Sequence, residues 1–116
     1  MVVDEQDERL ADAVFHALAD ATRRDIVVRA MGGGQSVSAL ARCYPMTFAA
    51  VQKHVAVLER AELVTKQRRG REQLVQSNIA TIRTAQNRLD ELETLWRRRM
   101  DRFGEALAEP TQGEPT

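Results

Sequence analysis

The stretch that decides the fold reads Ser36-Val-Ser-Ala-Leu-Ala-Arg-Cys43, Tyr44-Pro-Met46, Thr47 and Phe48-Ala-Ala-Val-Gln-Lys-His-Val-Ala-Val-Leu-Glu-Arg60. Its first segment predicts a short amphipathic helix with Ser36 as the cap, because serine side chains accept hydrogen bonds from free helix amides. Tyr44-Pro-Met46 ends that helix, and Thr47 can cap a second one. The apolar face of the second helix is narrow and consists of Ala50, Val51, Val55 and Leu58.

A hairpin with a basic tip follows directly. Residues 63–68 and 72–77 are strand-like runs, and Arg69-Gly70-Arg71 joins them with a glycine that suits the turn. Two helices, a tight turn and a hairpin predict a winged helix-turn-helix. Arg68 lies beside the two arginines of the tip, and three guanidinium groups repel one another unless an anion such as phosphate is near.

Side chains on the free face of the second helix suit a nucleic acid. Phe48, Gln52 and Lys53 fall largely off the apolar face. A helix that presents such side chains from its first turns can enter a DNA major groove, which is wide enough to admit it. We therefore predict groove contacts from Thr47, Phe48, Gln52, Lys53 and His54, and contacts to the DNA backbone or the adjacent minor groove from Arg68, Arg69 and Arg71.

Several segments together resemble the ArsR/SmtB family of bacterial winged-helix repressors. They are, in order, Leu18-Ala-Asp-Ala-Thr-Arg-Arg24, Ser36-Val-Ser-Ala-Leu-Ala41, Met46-Thr47, Val51-Gln-Lys-His-Val-Ala-Val-Leu58, Ala61-Glu-Leu-Val64 and Arg68-Arg-Gly-Arg71. The resemblance implies operator DNA as the ligand and a dimer as the assembly. Ala21 stands where the family usually has proline, Gln52 where serine is common and Glu62 where glycine is usual. These departures concern base preference more than DNA binding, because none removes a cation.

Charge is balanced over the chain but unevenly distributed. The 116 residues include 17 Lys and Arg and 17 Asp and Glu. Acids crowd the N-terminus, whereas Arg60, Lys66 and the wing arginines form a local basic patch, the electrostatic footprint of a nucleic-acid surface. No apolar run approaches the roughly 20 residues of a membrane span, the acidic start does not resemble a signal peptide, and one cysteine cannot form an intrachain disulfide. We expect a cytoplasmic protein without a membrane partner.

Two helices are predicted ahead of the motif. The first covers about residues 6–19, and the second begins at an Asp20 cap and ends at Gly32-Gly-Gly34. Arg23 and Arg24 lie in the first turn of the second helix, where cations oppose the helix dipole by some tenths of a kcal/mol. An external anion, either phosphate or an acidic side chain, would account for them. We therefore predict both as secondary DNA contacts.

The last helix predicts the assembly. From about residue 79 to residue 107, apolar residues recur every three or four positions, close to a heptad. Such a helix is about 40 Å long, longer than a small domain covers, so its stripe requires a second chain. First and last helices packing about a two-fold axis would bury it. The predicted dimer contacts are Leu10, Val14, Leu89, Leu92, Trp96, Met100 and Phe103. One domain is thus predicted over residues 1–107, followed by a disordered tail over 108–116.

The resemblance also raises metal sensing, because the family includes many metal sensors. Ser36 and Ser38 stand where arsenic and cadmium sensors carry cysteines, and hydroxyls are poor ligands for soft metals. No histidine follows His54, whereas zinc and nickel sensors use histidines of the last helix. The segment from Trp96 to Phe103 resembles instead the non-metal branch, whose members often repress their own operons. We predict neither a metal site nor another cofactor.

Redox sensing and catalysis are less favoured. Cys43 beside apolar residues is more typical of a small core residue than of a sensor. His16 and His54 lie on different helices with no nucleophile at a telling spacing, and Gly32-Gly-Gly34 lacks the lysine and serine of a phosphate-binding loop. The sequence therefore does not indicate an enzyme.

Two functions stay open. The first is a homodimeric, sequence-specific repressor of a palindromic operator, with autoregulation as one form. The second is a winged-helix interaction module whose wing arginines bind an acidic protein. Gln52 beside Lys53, bracketed by Arg23 and the wing, favours the first, because this layout follows a DNA strand. The sequence identifies no effector ligand.

Overall fold

A computed structural model describes residues 5–108, and the winged helix-turn-helix predicted from the sequence is confirmed. The elements are α1 (Glu5–Leu18), α2 (Ala21–Arg29), β1 (Gln35–Ser36), α3 (Val37–Ala41), α4 (Phe48–Arg60), β2 (Val64–Arg69), β3 (Glu72–Ser77) and α5 (Ile79–Ala108). The chain divides into two compact units, residues 1–85 and 86–116. Ala108, the first residue of the predicted tail, belongs to α5, and the rest of that tail lies outside the described residues.

Three predicted helix caps are present. The side chains of Asp20, Ser36 and Thr47 each accept a hydrogen bond from the backbone N–H three residues later, at 3.0, 3.0 and 3.1 Å. Each bond satisfies one of the amides that the first turn of a helix leaves free. The starts of α2, α3 and α4 therefore follow from local sequence. Ser36 is both the last residue of β1 and the N-cap of α3, so the strand leads directly into the helix.

The sheet has one strand more than the predicted hairpin. Its order is β1-β3-β2, antiparallel throughout, with Gln35 opposite Val75 and Ser36 opposite Leu74. Gly34 permits the close approach of β1, since its φ is 78° and a Cβ there would lie 3.3 Å from the carbonyl oxygen of Val75. The added strand places the N-terminus of α3 beside the wing.

The core of the first unit fixes which face of α4 stays free. The largest fully buried side chains come from all four helices before the wing and from the sheet region, and they are Val14, Ile26, Leu40, Val51, Val55, Leu58, Leu63, Val64 and Val75. Val14 is 1% exposed. Its prediction as a dimer contact is therefore wrong, because the core of its own chain already surrounds it. Leu10 is half-buried against the same core.

The end of α4 contains an unusual backbone conformation at Glu62. Its φ is 60°, in the left-handed region that favours glycine, and the N–H of Leu63 donates to the carbonyl of Leu58 at 3.0 Å. This is a Schellman ending, in which the left-handed residue is most often glycine. The Glu62 carbonyl in turn accepts hydrogen bonds from the side chains of Asn78 and Thr81. The ending therefore anchors the start of α5.

Glu62→Gly is expected to stabilise the first unit by about 1 kcal/mol, because a Cβ in the left-handed region is strained. The measurement is the free energy of unfolding in urea. Glu62→Ala is the matched control, since it removes the same charge and keeps the Cβ. If both variants raise the free energy of unfolding equally, the charge of Glu62 and not its backbone conformation destabilises the wild-type protein.

The second unit is described over residues 86–108, which belong to α5. Its apolar side chains are exposed and share one broad side of the helix, and they are Leu89, Leu92, Leu95, Trp96, Met100, Phe103 and Leu107. We call this set the α5 stripe. Leu95, at its edge, was not predicted because it lies off the heptad spacing. No helix in the described part of the chain is both long enough and apolar enough to cross a membrane.

Candidate nucleic-acid interface

An open groove separates the start of α4 from the wing. Its volume is about 360 Å³, and its lining is Ser36, Val37, Ser38, Phe48, Gln52, Arg68, Arg71, Glu72 and Gln73. Four of the predicted DNA contacts, Phe48, Gln52, Arg68 and Arg71, therefore lie on one surface. Ser38 and Gln73 also line the groove and were not among the predicted DNA contacts, since their placement depends on how β1 and β2 pair with β3.

The exposed face of α4 carries three kinds of chemistry. Phe48 presents an apolar ring, Gln52 an amide that both donates and accepts, and Lys53 a cation, and all three side chains are exposed. Thr47 is exposed as well, and its Oγ1 accepts a hydrogen bond from the backbone N–H of Ala50. The Thr47 hydroxyl can still donate its proton to an outside acceptor.

His54 is directed to a neighbouring helix. Arg23 Nη1 lies 3.3 Å from His54 Nδ1, and a guanidinium can only donate, so the ring nitrogen is the acceptor in this contact. The same arginine donates from Nε to the carbonyl of Ala17 at 2.7 Å and from Nη2 to that of His16 at 3.1 Å. Arg23 therefore joins the end of α1, the start of α2 and the middle of α4.

Arg23 and Arg24 have partners within the chain that the sequence did not indicate, while their predicted contacts with DNA stay a prediction. Arg24 Nη1 donates to the carbonyl of Leu18 at 2.7 Å, so both arginines bind carbonyls at the C-terminus of α1. That end of a helix carries partial negative charge, which favours cations and offsets their position at the start of α2. The backbone N–H of Arg23 also donates to Asp20, which lowers the pKa of that carboxyl. Arg23, Arg24 and His54 thus serve contacts within the chain.

The wing arginines are exposed beside a tight turn. Gly70 has a φ of 61°, which a tip of this kind requires, and Arg68 Nε donates to its carbonyl at 3.3 Å. Arg69 pairs with Glu72 in the strand register, next to the groove-lining Arg71. Lys66 differs from these arginines, because its Nζ lies 3.3 Å from Glu59 Oε1 and joins β2 to α4.

A contact that the sequence did not indicate holds the turn between α3 and α4. Asp25 Oδ2 accepts from the Tyr44 hydroxyl at 2.6 Å and from Arg29 Nε at 2.7 Å. These bonds lower the pKa of Asp25, whereas burial and the adjacent carboxylate raise that of Tyr44. Arg29 lies four residues after Asp25 on α2, a spacing typical of an ion pair, but nothing in that spacing points to Tyr44, which lies in the turn between α3 and α4. It fixes the segment from which α4 begins.

Cys43 and Ser36, which were considered as redox or metal-sensing residues, flank α3. Cys43 is exposed, with its Sγ donating to the carbonyl of Ala39 at 3.4 Å, so its prediction as a core residue is wrong. Ser36 accepts the amide of Ala39 as a helix cap. Among residues 5–108, no three histidine, cysteine, aspartate or glutamate side chains are grouped as metal ligands would be.

Comparison with known proteins supports one family. No protein-family model matches the chain. The HTH-type transcriptional regulator Rv2034 of Mycobacterium tuberculosis is 32% identical over 111 residues, which cover 93% of this chain and 96% of that protein. The structure of an ArsR-like transcriptional regulator from Rhodococcus sp. RHA1 matches with a TM-score of 0.76 and 29% identity over 90% of this chain and 97% of that one. The chain belongs to the ArsR family of helix-turn-helix transcriptional regulators.

This ArsR-family regulator shares its fold with more distant structures. One is a homodimeric winged helix-turn-helix DNA-binding domain from Mycobacterium bovis, with a TM-score of 0.59 and 22% identity over 80% of this chain and 91% of that one. Family membership confirms the resemblance found in the sequence and identifies a transcriptional regulator rather than an enzyme.

Proposed function

We propose that this regulator is a homodimeric repressor that binds a palindromic DNA operator through α4 and the wing. The observation that carries the proposal is the groove, where Phe48 and Gln52 of α4 lie on one surface with Arg68 and Arg71 of the wing. Base-contacting and phosphate-binding chemistry are thus adjacent, as a helix in the major groove and a wing on the backbone require. Control of its own promoter is part of the proposal.

The two parts of this surface have different tasks. The Gln52 amide is exposed on the second turn of α4 and can pair bidentately with an adenine edge. Arg71 and its neighbours on the tip are charged donors, which fit phosphate or a narrow minor groove. Gln52 therefore supplies sequence preference, whereas the wing supplies affinity that depends on salt.

A two-fold dimer follows from the α5 stripe. Leu92 and Trp96 are 64% and 61% exposed, and an amphipathic helix gains by burying such side chains against a copy of itself. Two subunits related by a two-fold axis present two copies of α4, which match the halves of a palindrome. The homodimeric neighbour from Mycobacterium bovis has the same fold.

No transition metal and no other cofactor take part in this proposal. The position of Ser36 supports it, because that side chain accepts the Ala39 amide and a hydroxyl is a poor ligand for soft metals. A regulator of transcription works where the DNA is, so the proposal keeps the cytoplasmic location predicted from the sequence.

The decisive experiment compares Gln52→Ala with Arg71→Ala on two duplexes, the selected operator and a random sequence. Gln52→Ala should weaken operator binding about tenfold and leave random duplex nearly unchanged, since it removes a base contact. Arg71→Ala should weaken both and flatten the slope of log affinity against log salt by roughly one unit per lost phosphate contact. Titrations at three salt concentrations measure both effects.

Arg83→Ala is the matched control for the charge, because Arg83 is exposed and does not line the groove. It should leave the affinity for both duplexes and the salt slope unchanged. Equal effects of Gln52→Ala and Arg71→Ala would contradict the division of tasks. If neither variant changes DNA binding, the groove serves another ligand, and an acidic protein bound by the wing arginines becomes the better explanation.

A further inference from the structure

We infer that Phe48 is a specificity-determining residue that selects a thymine by packing against its C5-methyl group, close to the base that Gln52 contacts. The inference rests on the proposed function, because it requires α4 to enter the major groove of an operator. It goes further by assigning base chemistry to an apolar side chain and by placing two bases relative to each other.

Phe48 differs from the large apolar residues of α4 that form the core. Val51, Val55 and Leu58 are buried in the core, whereas the Phe48 ring is 46% exposed at the first residue of the helix. A single exposed phenylalanine is not unusual, but this one lines the groove. The exposed side chains around it there are polar or charged, and they include Ser38, Gln52, Arg68 and Arg71.

Position along the helix ties Phe48 to Gln52. The two residues are one turn apart, so their side chains share a face, and both line the groove. One turn advances the helix by about 5.4 Å, which is less than two base-pair steps of about 3.4 Å. The two side chains therefore reach bases at most about two steps apart.

The chemistry of the major groove offers one partner for such a ring. Base edges there present hydrogen-bond donors and acceptors, and the C5-methyl of thymine is their apolar group. Phenylalanine is one of the residues that contact this methyl. Burying one methyl corresponds to a roughly fourfold gain in affinity. The operator half-site should therefore carry a thymine within about two steps of the adenine paired with Gln52.

Deoxyuridine provides the test, because it keeps the hydrogen-bonding edge of thymine and lacks the methyl group. The operator is first selected from genomic fragments with the wild-type protein, and each thymine is then replaced singly. With wild-type protein, one position in each half-site should lose affinity about fourfold. With Phe48→Ala the same replacement should have no effect, whereas Gln52→Ala should retain it. Thermal unfolding of Phe48→Ala checks that the exposed substitution leaves the fold intact.

The outcomes distinguish failure of the inference alone from failure of the proposed function. If wild-type protein binds the operator but tolerates deoxyuridine at every thymine, the inference is wrong and the DNA-binding proposal stands. The inference is also wrong if Phe48→Ala stays as sensitive as wild type, since another residue then contacts the methyl. Phe48→Leu keeps an apolar contact and should remain partly sensitive. Wild-type protein that fails to select any operator would overturn the proposed function, and the inference with it.

Discussion

Replacement of Leu92 and Trp96 together by glutamate is expected to convert the proposed dimer to monomers at micromolar concentration. Both side chains lie in the α5 stripe and are more than half exposed in the single chain. Burial of each contributes about 1.5 to 3 kcal/mol, and a two-fold interface contains every contact twice. Four new carboxylates in that interface would also lose hydration without gaining partners.

Light scattering with size-exclusion chromatography measures the mass directly. Asn87→Glu with Thr94→Glu is the matched control, because it adds the same two charges to exposed positions of α5 that are not part of the stripe. The control should remain dimeric, and only the stripe variant should lose operator affinity, since one subunit then contacts one half-site. A wild-type mass of a single chain would overturn the dimer.

Helix α4 was predictable because its signals are local. Thr47 at the cap and the recurrence of Val51, Val55 and Leu58 fixed its start and its buried face, and α4 is observed from Phe48 to Arg60 as predicted. The wing followed from strand-like runs around Gly70. Its β3 strand has the predicted bounds, and β2 is shifted by one residue, to Val64–Arg69.

What the sequence did not predict depends on contacts between distant segments. A two-residue strand such as β1 has no alternation pattern, and it forms because β3 returns beside Gly34. Val14 was predicted at the dimer contact and Cys43 in the core for the same reason. The pattern of neighbouring residues in the sequence does not show which segment of the fold covers a side chain. Base rates favour a buried cysteine, yet Cys43 follows α3 on an exposed turn.

Contacts between distant segments also determine the charge partners of Arg23 and Arg24 in α2. Within α2 alone, Arg23 and Arg24 lie in the first turn, where cations oppose the helix dipole. Their partners are carbonyls of α1, and only the packing of α1 against α2 brings these within 2.7 to 3.1 Å. The sequence indicated that the two arginines need a negatively charged or polar partner. Whether that partner is a phosphate, a carboxylate or a backbone carbonyl could be seen only in the folded structure.

Arg23→Ala is accordingly expected to lower the free energy of unfolding by about 3 kcal/mol. Two charge-assisted hydrogen bonds to the end of α1 would be lost, each contributing about 1.5 to 3 kcal/mol, with the lower value fitting a half-buried side chain. Urea unfolding provides the measurement. Arg24→Ala is the matched control, because Arg24 donates to a single carbonyl from an exposed side chain that water screens, so its loss should cost under about 1 kcal/mol.

The contact with His54 links Arg23 to α4, the helix proposed to bind DNA. Arg23 connects α4 to the α1 terminus through Nδ1 of the histidine, so its removal frees the middle of the helix that carries Gln52. Arg23→Ala should therefore weaken operator binding while leaving the salt slope unchanged, because no phosphate contact is lost. His54→Ala should reproduce the loss of affinity with a smaller loss of stability, since the carbonyl bonds of Arg23 persist. A slope that falls by one unit in Arg23→Ala would show instead that Arg23 binds phosphate, as the sequence first suggested.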